Sequence, residues 1–212
     1  MLTSYLTVKE RGQHEIEIKK SRFICTLAPV TSEEEAKALI LEIKKEHWKA
    51  SHNCSAFVIG DTNEIQRSSD DGEPAGTAGV PMLEILKKRQ LINTVAIVTR
   101  YFGGTELGKG GLIRAYGGVV AEALTAVGIV QGSLQQEVIL EIDYPNHGKL
   151  ENFMTSANYD LKETIFTDKV TLICMIDEAQ VEAFQLEVTD QLSGQVSITL
   201  GEKAYFEKDY QG

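Results

Sequence analysis

A glycine-rich loop, RYFGGTELGKGGLIRAYGG at residues 100–118, is the segment of this sequence with the clearest chemical potential. Seven of the 18 glycines in the chain lie between Gly103 and Gly118. Because every glycine loses much backbone entropy on ordering, such a cluster indicates left-handed dihedrals or a close approach of the backbone to another group. The loop precedes a predicted helix, and the free N–H groups and dipole of a helix start favour an anion. Two interpretations stay open: an anion or phosphate-backbone site, and a structural turn with tight helix packing.

Neither of the two common nucleotide-binding motifs fits this loop fully. Gly103 to Lys109 matches the GxxxxGK of a P-loop, but Gly110 stands where Ser or Thr would bind magnesium. The GxGxxG pattern also fails, because Ile113 replaces its third glycine. The sequence therefore argues against P-loop hydrolysis and implies no cofactor. The residues predicted to bind nucleic acid, phosphate or another anion are Arg67, Arg100, Tyr101, Gly103, Gly104, Lys109, Gly110, Gly111 and Arg114.

A second polar loop, RSSDDGEPAGTAGVP at residues 67–81, contains three carboxylates, Asp70, Asp71 and Glu73. Such a group could hold a metal ion, orient a water molecule or pair with the arginines of the glycine-rich loop. Asp-Gly and Glu-Pro pairs are also strong turn signals. The spacing alone favours a polar turn, because a hard cation needs a further ligand from elsewhere in the chain.

His52 and Cys54 stand two residues apart where a strand is predicted to begin, so both side chains lie on one face. A zinc or thiol–imidazole role would use such a pair. No second ligand pair accompanies it, and a buried thiol beside a hydrogen-bonded histidine is the favoured interpretation. We therefore predict no metal site and no catalytic residue here, although His52 joins the three carboxylates in a candidate acidic cleft.

The elements that must position these residues form two α+β domains, predicted at residues 1–132 and 133–212 with a linker near residues 128–133. In the first domain, residues 14–30 are predicted as one long strand. Ser32 caps a helix that runs to about His47, with Glu35 three residues further on as in a capping box. Further strands are predicted at 54–60, 64–70 and 93–102, and further helices at 79–89 and 112–128.

The second domain has a more regular pattern. Apolar and polar residues alternate over 134–144, as in a half-buried strand, and a helix-spaced segment follows. Two strands joined by a turn at Thr167-Asp168, a helix that stops at Gly194, and a last strand complete the domain. This β-α-β-β-α-β order predicts a ferredoxin-like fold.

The net charge of −10 is distributed unevenly along the chain. Residues 1–132 have a net charge of 0 and residues 133–212 a net charge of −10, so the excess acid does not exclude nucleic-acid contact by the first domain. The 3 cysteines are widely spaced without a CxxC pair, which indicates a reducing compartment. The sequence begins without a secretory signal and has no apolar run of the roughly 18 residues that a membrane span needs. We expect a cytoplasmic protein with no membrane contact.

Three ungapped motifs carry a family resemblance: SHNCSAFVIG, RSSDDGEPAGTAGVPMLEIL and VTRYFGGTELGKGGLIRAYGG. In this order, and with KKSRFI at residues 19–24, they resemble the IMPACT family in its bacterial YigZ branch. The resemblance implies an N-terminal left-handed βαβ domain similar to the fourth domain of elongation factor G. It also implies a ferredoxin-like C-terminal domain similar to the fifth. Eukaryotic relatives regulate translation under stress, so a broad translation-linked role is implied, and no catalytic residue is carried over.

Three hypotheses on function follow. The leading one is a non-enzymatic protein that binds RNA, the ribosome or a translation factor through the cationic glycine-rich loop, with Trp48, Tyr101 and Phe102 able to stack on bases. Phe57, within an apolar run, is instead predicted to lie in the core. An alternative is a hydrolase or phosphate-handling enzyme whose cleft joins the acidic and glycine-rich loops. A third is a protein-interaction module in which the acidic domain meets a basic partner.

Overall fold

A computed structural model describes residues 2–210 of the chain, which divide into two compact units. Among the described residues, unit 1 contains Tyr5–Gln131 and Lys208–Tyr210, and unit 2 contains Leu2–Ser4 and Gly132–Glu207. Each unit combines a sheet with helices, so the prediction of two α+β domains is confirmed.

Unit 1 is built on a fully antiparallel sheet. The strands of this part of the chain are β1 (Ser4–Val8), β2 (Gly12–Ile18), β3 (Ser21–Pro29), β4 (His52–Ile59), β5 (Ile65–Ser69) and β6 (Thr94–Tyr101), and the helices are α1 (Glu33–Glu46), α2 (Gly79–Lys88) and α3 (Gly108–Val127). The sheet order is β2-β3-β6-β4-β5, which places the apolar strand β6 at the centre and the polar strand β5 at an edge. β1 was not predicted from the sequence.

Both faces of this sheet are covered by helices. On β6, Ala96 and Val98 face the core formed with α2 and α3, whereas Val95 and Ile97 face the core formed with α1. A strand buried on both faces shows a continuous apolar run rather than alternation, as residues 95–98 do. Phe57 lies in the α1 core, as predicted.

Helix α1 begins as its sequence predicts. The Ser32 side chain accepts a hydrogen bond from the Glu35 N–H. The Glu35 carboxylate reaches back to the Thr31 N–H at 2.7 Å, one residue before the position that a capping box would use.

The prediction of one long strand at residues 14–30 is wrong, because this segment folds into the hairpin β2–β3. Lys19 and Lys20, which connect the strands, both have positive φ values of 49° and 66°. Two consecutive positive φ values suit a tight hairpin turn, since they match the twist of the flanking strands. Lysines are unusual there, and no Asn-Gly or Asp-Gly signal marked the turn.

Unit 2 has the ferredoxin-like fold. Its strands are β7 (Ile129–Ile142), which begins in unit 1, β8 (Leu161–Phe166), β9 (Val170–Asp177) and β10 (Ser197–Asp209), and its helices are α4 (His147–Ser156) and α5 (Val181–Gln191). β7 pairs with both β9 and β10, and β8 pairs with β9. The predicted β-α-β-β-α-β order is confirmed.

The two units divide after Gln131, within the linker predicted near residues 128–133, but this segment is a strand and not a loop. Gly128, with a φ of 95°, ends α3, and β7 starts at the next residue and continues to Ile142. Glycine and serine in GIVQGS suggested a break, but Val130 and Leu134 are buried and continue the alternation of the strand. No helix in the described part of the chain has both the length and the apolar character for crossing a membrane.

Candidate functional site

Asp70 organises the acidic loop instead of facing a cleft. Its carboxylate accepts hydrogen bonds from the N–H groups of Gly76, Ala78 and Gly79, and thereby caps the start of α2. Desolvation acts to raise the pKa of Asp70, but the three backbone donors outweigh it and the pKa is lowered.

Asp70→Ala should therefore destabilise the protein by about 1–2 kcal/mol at neutral pH, the usual cost of losing a helix cap. Because the pKa of Asp70 is lower in the folded state, its contribution is full above the ordinary aspartate pKa of about 4. It is lost as the pH falls through the lowered value. Urea unfolding of both proteins across this range should show the difference shrinking towards acid, whereas a constant difference would contradict the capping role.

Asp71 is likewise committed to structure. Its Oδ1 atom accepts from Lys44 Nζ at 2.6 Å and its Oδ2 atom from the Asn53 N–H at 2.7 Å. Desolvation opposes ionisation, but Lys44 and the Asn53 amide lower the pKa of Asp71 overall. Asp70 and Asp71, two of the residues predicted for an acidic cleft, thus both direct their carboxylates to the chain's own donors.

Glu73 is the carboxylate of this loop that enters a buried network. Its Oε1 atom accepts from Arg100 Nη1 at 2.6 Å and from the Tyr116 hydroxyl at 2.7 Å. Burial raises the pKa of Tyr116, so its hydroxyl stays protonated and acts as a donor. Arg100 is only 5% exposed. It was predicted to offer its charge to a phosphate backbone, but its guanidinium is instead inside the unit and paired with Glu73.

His52 lies beside this network. Its Nδ1 atom is 2.8 Å from the carbonyl oxygen of Asp71, to which it donates, and its Nε2 atom is 3.8 Å from Glu73 Oε2. Cys54 donates its thiol proton to the Asp70 carbonyl. Burial raises the pKa of Cys54 to about 12, so the thiol is not a nucleophile at neutral pH. Within residues 2–210, no group of three His, Cys, Asp or Glu side chains could hold a metal ion.

The glycine-rich loop contains glycines with left-handed dihedrals and a glycine that allows a close backbone approach, the two roles that the sequence suggested. Gly104 and Gly108 have positive φ values of 83° and 68°, and Gly103 packs against the Lys19–Lys20 turn so closely that a Cβ would overlap the backbone of Lys20. α3 begins at Gly108, four residues before its predicted start, so Gly110 and Gly111 belong to its first turn. Leu107, the N-cap residue of α3, makes no side-chain capping hydrogen bond.

A pocket joins the two loops. It has a volume of about 340 Å³ and is lined by His52, Glu73, Pro74, Arg100, Phe102, Glu106, Leu107, Gly108, Lys109 and Leu112. Of the four residues predicted for an acidic cleft, His52 and Glu73 line it. The pocket therefore places a buried polar network opposite the uncapped start of α3.

Aromatic and cationic side chains surround one end of the sheet, next to this pocket. Trp48 is 74% exposed with Lys49 Nζ 5.1 Å above its ring, and Phe102 is 51% exposed. Phe102 is tied to the segment after Trp48 by a hydrogen bond from its N–H to Ser51 Oγ. We call this the cationic–aromatic surface, formed by Lys19, Lys20, Trp48, Lys49, Tyr101 and Phe102. None of the three lysines is among the residues predicted to bind nucleic acid, although Lys19 and Lys20 begin the KKSRFI segment.

Two predicted cations lie elsewhere. Arg67 is exposed on the edge strand β5, where its Nε atom is 3.6 Å from Glu33 of α1. Arg114 lines a separate open groove between α2 and α3 that also includes Val80 and Ile85. Tyr101, in contrast, belongs to the cationic–aromatic surface, where its hydroxyl hydrogen-bonds His47 Nδ1 at 2.9 Å.

Comparison with known proteins places this arrangement in a family. The family model for the Impact N-terminal domain matches residues 19–124, and a model for a domain of unknown function, DUF1949, matches residues 140–195. The IMPACT family member YvyE of Bacillus subtilis is 51% identical, over 98% of this chain and 96% of its own length. The chain belongs to the IMPACT family. Its ferredoxin-like unit is the part that carries the DUF1949 match.

Other IMPACT family relatives span nearly the same length. YigZ of Escherichia coli is 36% identical, over 86% of this chain and 90% of its own, which confirms the bacterial YigZ-like branch. A crystal structure described as that of a hypothetical protein is 34% identical, with a TM-score of 0.60 over 95% of this chain and 99% of that one. The glycine-rich loop, the acidic loop and the residues of the pocket lie within the Impact N-terminal match.

Proposed function

We propose that this IMPACT family protein is a translation-linked regulator that binds single-stranded RNA through its cationic–aromatic surface. The observation that carries the proposal is the exposure of Trp48 and Phe102 beside lysines at one end of the unit 1 sheet. Base stacking on exposed aromatic rings, combined with cations along the backbone, is the usual way of holding single strands without sequence preference. The link to translation is supported by membership of the family.

The distribution of charge is consistent with this surface. Residues 133–212 hold the whole net charge of −10, so this part of the chain would repel an RNA strand. Residues 1–132 have no net charge and would not. Within the first domain, Lys19 and Lys20 form the hairpin turn that packs against Gly103. In this proposal the glycine-rich loop brings the Lys19–Lys20 turn close to Phe102, because Gly103 packs against that turn.

Trp48→Ala should weaken binding of a short single-stranded RNA by about fivefold to a hundredfold, the value of one base–aromatic stack. Leu41→Ala is the matched control, because Leu41 is a 59% exposed apolar residue on α1 of the same unit. Fluorescence anisotropy with a labelled oligonucleotide measures both affinities. Equal affinities of the two variants would contradict the proposed surface.

Salt dependence separates phosphate contacts from stacking. Removal of one lysine that contacts phosphate should reduce the slope of log affinity against log salt by about 0.7 for a single strand. We expect this for Lys49→Ala and not for Lys88→Ala, since Lys88 ends α2 and does not belong to the surface. Wild-type protein that fails to bind RNA even at low salt would refute the proposed function.

A further inference from the structure

Two hydrogen-bond acceptors lie close together at the pocket, and no donor of the described chain satisfies them. Glu73 uses its Oε1 atom for Arg100 and Tyr116, whereas its Oε2 atom has no hydrogen-bond partner within residues 2–210. The Nε2 atom of His52 lies 3.8 Å from this oxygen, which is too far for a hydrogen bond.

His52 does not supply the missing proton in its neutral form. A carbonyl oxygen only accepts, so the 2.8 Å contact with the Asp71 carbonyl places the single proton of a neutral His52 ring on Nδ1. The Nε2 atom then presents a lone pair, as Glu73 Oε2 does. The two atoms together require a donor from outside the chain.

A ligand in the pocket can reach both atoms. The Glu73 side chain is only 3% exposed, but the fully enclosed side-chain atoms without partners in the described part of the chain are Asn63 Oδ1 and Arg100 Nε. Glu73 Oε2, which also has no partner, therefore keeps accessible surface. His52 is 23% exposed, and both residues line the pocket. A buried carboxylate oxygen that lacks a donor is costly, so a ligand that supplies one gains affinity.

The charges around the pocket favour a ligand without net charge at this position. Arg100 and Lys109 bring positive charge to the lining, and Glu73 and Glu106 bring an equal negative charge. Because Arg100 already pairs with Glu73, the carboxylate needs a hydrogen-bond donor and not a second cation. Phe102 lines the same pocket and is 51% exposed, so a flat ring can stack on it.

We propose that this pocket binds a guanine base by its Watson–Crick edge. This edge carries the N1–H and the 2-amino group side by side, which gives one donor to Glu73 Oε2 and one to His52 Nε2. Adenine has an acceptor at N1, and uracil and cytosine each offer a single donor group there. Single-stranded RNA is usually read in this way, by stacking of a splayed base and hydrogen bonds to its edge. The pocket volume of about 340 Å³ is sufficient for a base and its ribose.

The guanine could belong to an RNA strand or to a free nucleotide, which present the same edge. The RNA source rests on the proposed function, and Phe102 belongs to both the pocket and the cationic–aromatic surface. The nucleotide source is independent of RNA binding.

Inosine is the matched probe, because it differs from guanosine only in lacking the 2-amino group. Short uridine strands with one central guanosine, inosine or adenosine are compared by anisotropy with the full chain. We expect the guanosine strand to bind about tenfold more tightly than the inosine strand, the value of one hydrogen bond to a charged acceptor, and adenosine to be no better than inosine. Equal affinities of the three strands would overturn the guanine pocket and leave RNA binding intact.

Free nucleotides separate the two proposals. If no strand binds even at low salt, the proposed function fails, and calorimetry with guanosine and inosine 5′-monophosphates then tests the pocket alone. A preference for the guanosine nucleotide of about tenfold supports the pocket. Equal binding of the two nucleotides, or no binding of either, overturns it.

Variants locate the effect in the pocket. His52→Phe keeps a ring but removes the Nε2 acceptor, so it should weaken the guanosine strand by about tenfold and leave a strand of uridine alone unchanged. His14→Phe is the matched control, since His14 lies on β2 next to Glu122 and does not line the pocket. Glu73→Gln places an amide N–H₂ where Oε2 was, so the guanosine preference should disappear. Wild-type preference in folded His52→Phe refutes the assignment, and if neither pocket variant folds, the comparison of guanosine with inosine decides.

Discussion

Arg100→Ala should destabilise unit 1 by about 3–5 kcal/mol, the usual cost of removing one partner from a buried ion pair. The side chain is almost fully buried, and its loss leaves the Glu73 carboxylate with Tyr116 as its remaining donor among these network residues. The ring contacts of its guanidinium with Phe23 and Phe102 would also be lost. Urea unfolding followed by far-UV circular dichroism measures the change.

Arg67→Ala is the matched control, since it removes the same side chain from an exposed position. The Arg67 side chain is exposed and lies 3.6 Å from Glu33, so we expect a change within about 0.5 kcal/mol. The double variant Arg100→Met/Glu73→Gln should recover part of the lost stability, because no buried charge remains unpaired. Wild-type stability of Arg100→Ala would show that the network is unimportant for folding.

Gly103→Ala should be the second strongly destabilising change, by about 3 kcal/mol, the upper part of the usual range for overpacking. A Cβ at this position would overlap the backbone of Lys20 and the amide nitrogen of Ser21. Backbone cannot rotate away as a side chain can, so the hairpin turn or the loop must move. The hydrogen bond from the Gly103 N–H to Ser21 Oγ at 3.1 Å would be disturbed as well.

Gly118→Ala, in the same glycine-rich segment, should stabilise the protein instead. A Cβ at Gly118 has open space around it, and the residue lies inside α3. Alanine favours a helix interior by roughly 0.5–1 kcal/mol over glycine, so this variant should be more stable than wild type. Thermal unfolding of Gly103→Ala, Gly118→Ala and the wild type measures both effects. Similar effects of both substitutions would contradict the close approach at Gly103.

Local patterns were sufficient to predict most of the elements. The β-branched run of β6, the Ser32 cap of α1 and the alternation in β7 each depend on neighbours in the sequence, and each is present in the structure. The hairpin at Lys19–Lys20 could not be predicted, because the packing of Gly103 against this turn is a contact between distant segments. β7 likewise continues through glycine because its burial pattern outweighs a local turn signal.

The site was harder to predict because its residues are separated by long stretches of chain. Asp70, Asp71 and Glu73 are nearly adjacent and chemically similar, yet two of them bind backbone or lysine donors and the third binds Arg100. Pairing with the arginines of the glycine-rich loop was one of three roles that the sequence left open for these carboxylates, and the spacing does not select Glu73 and Arg100 as the pair. Antiparallel pairing of β4 with β6 places His52 opposite Arg100, and this register makes the two pocket residues neighbours.

Trp48 offers the most direct measurement of the central claim, RNA binding at the cationic–aromatic surface. It is the single tryptophan of the chain and is 74% exposed, so its fluorescence reports on this surface alone. On titration with unlabelled single-stranded RNA, we expect quenching of this fluorescence by base stacking, along the same curve as anisotropy of a labelled strand. Binding detected by anisotropy with unchanged Trp48 emission would contradict the account, since the RNA would then be held elsewhere.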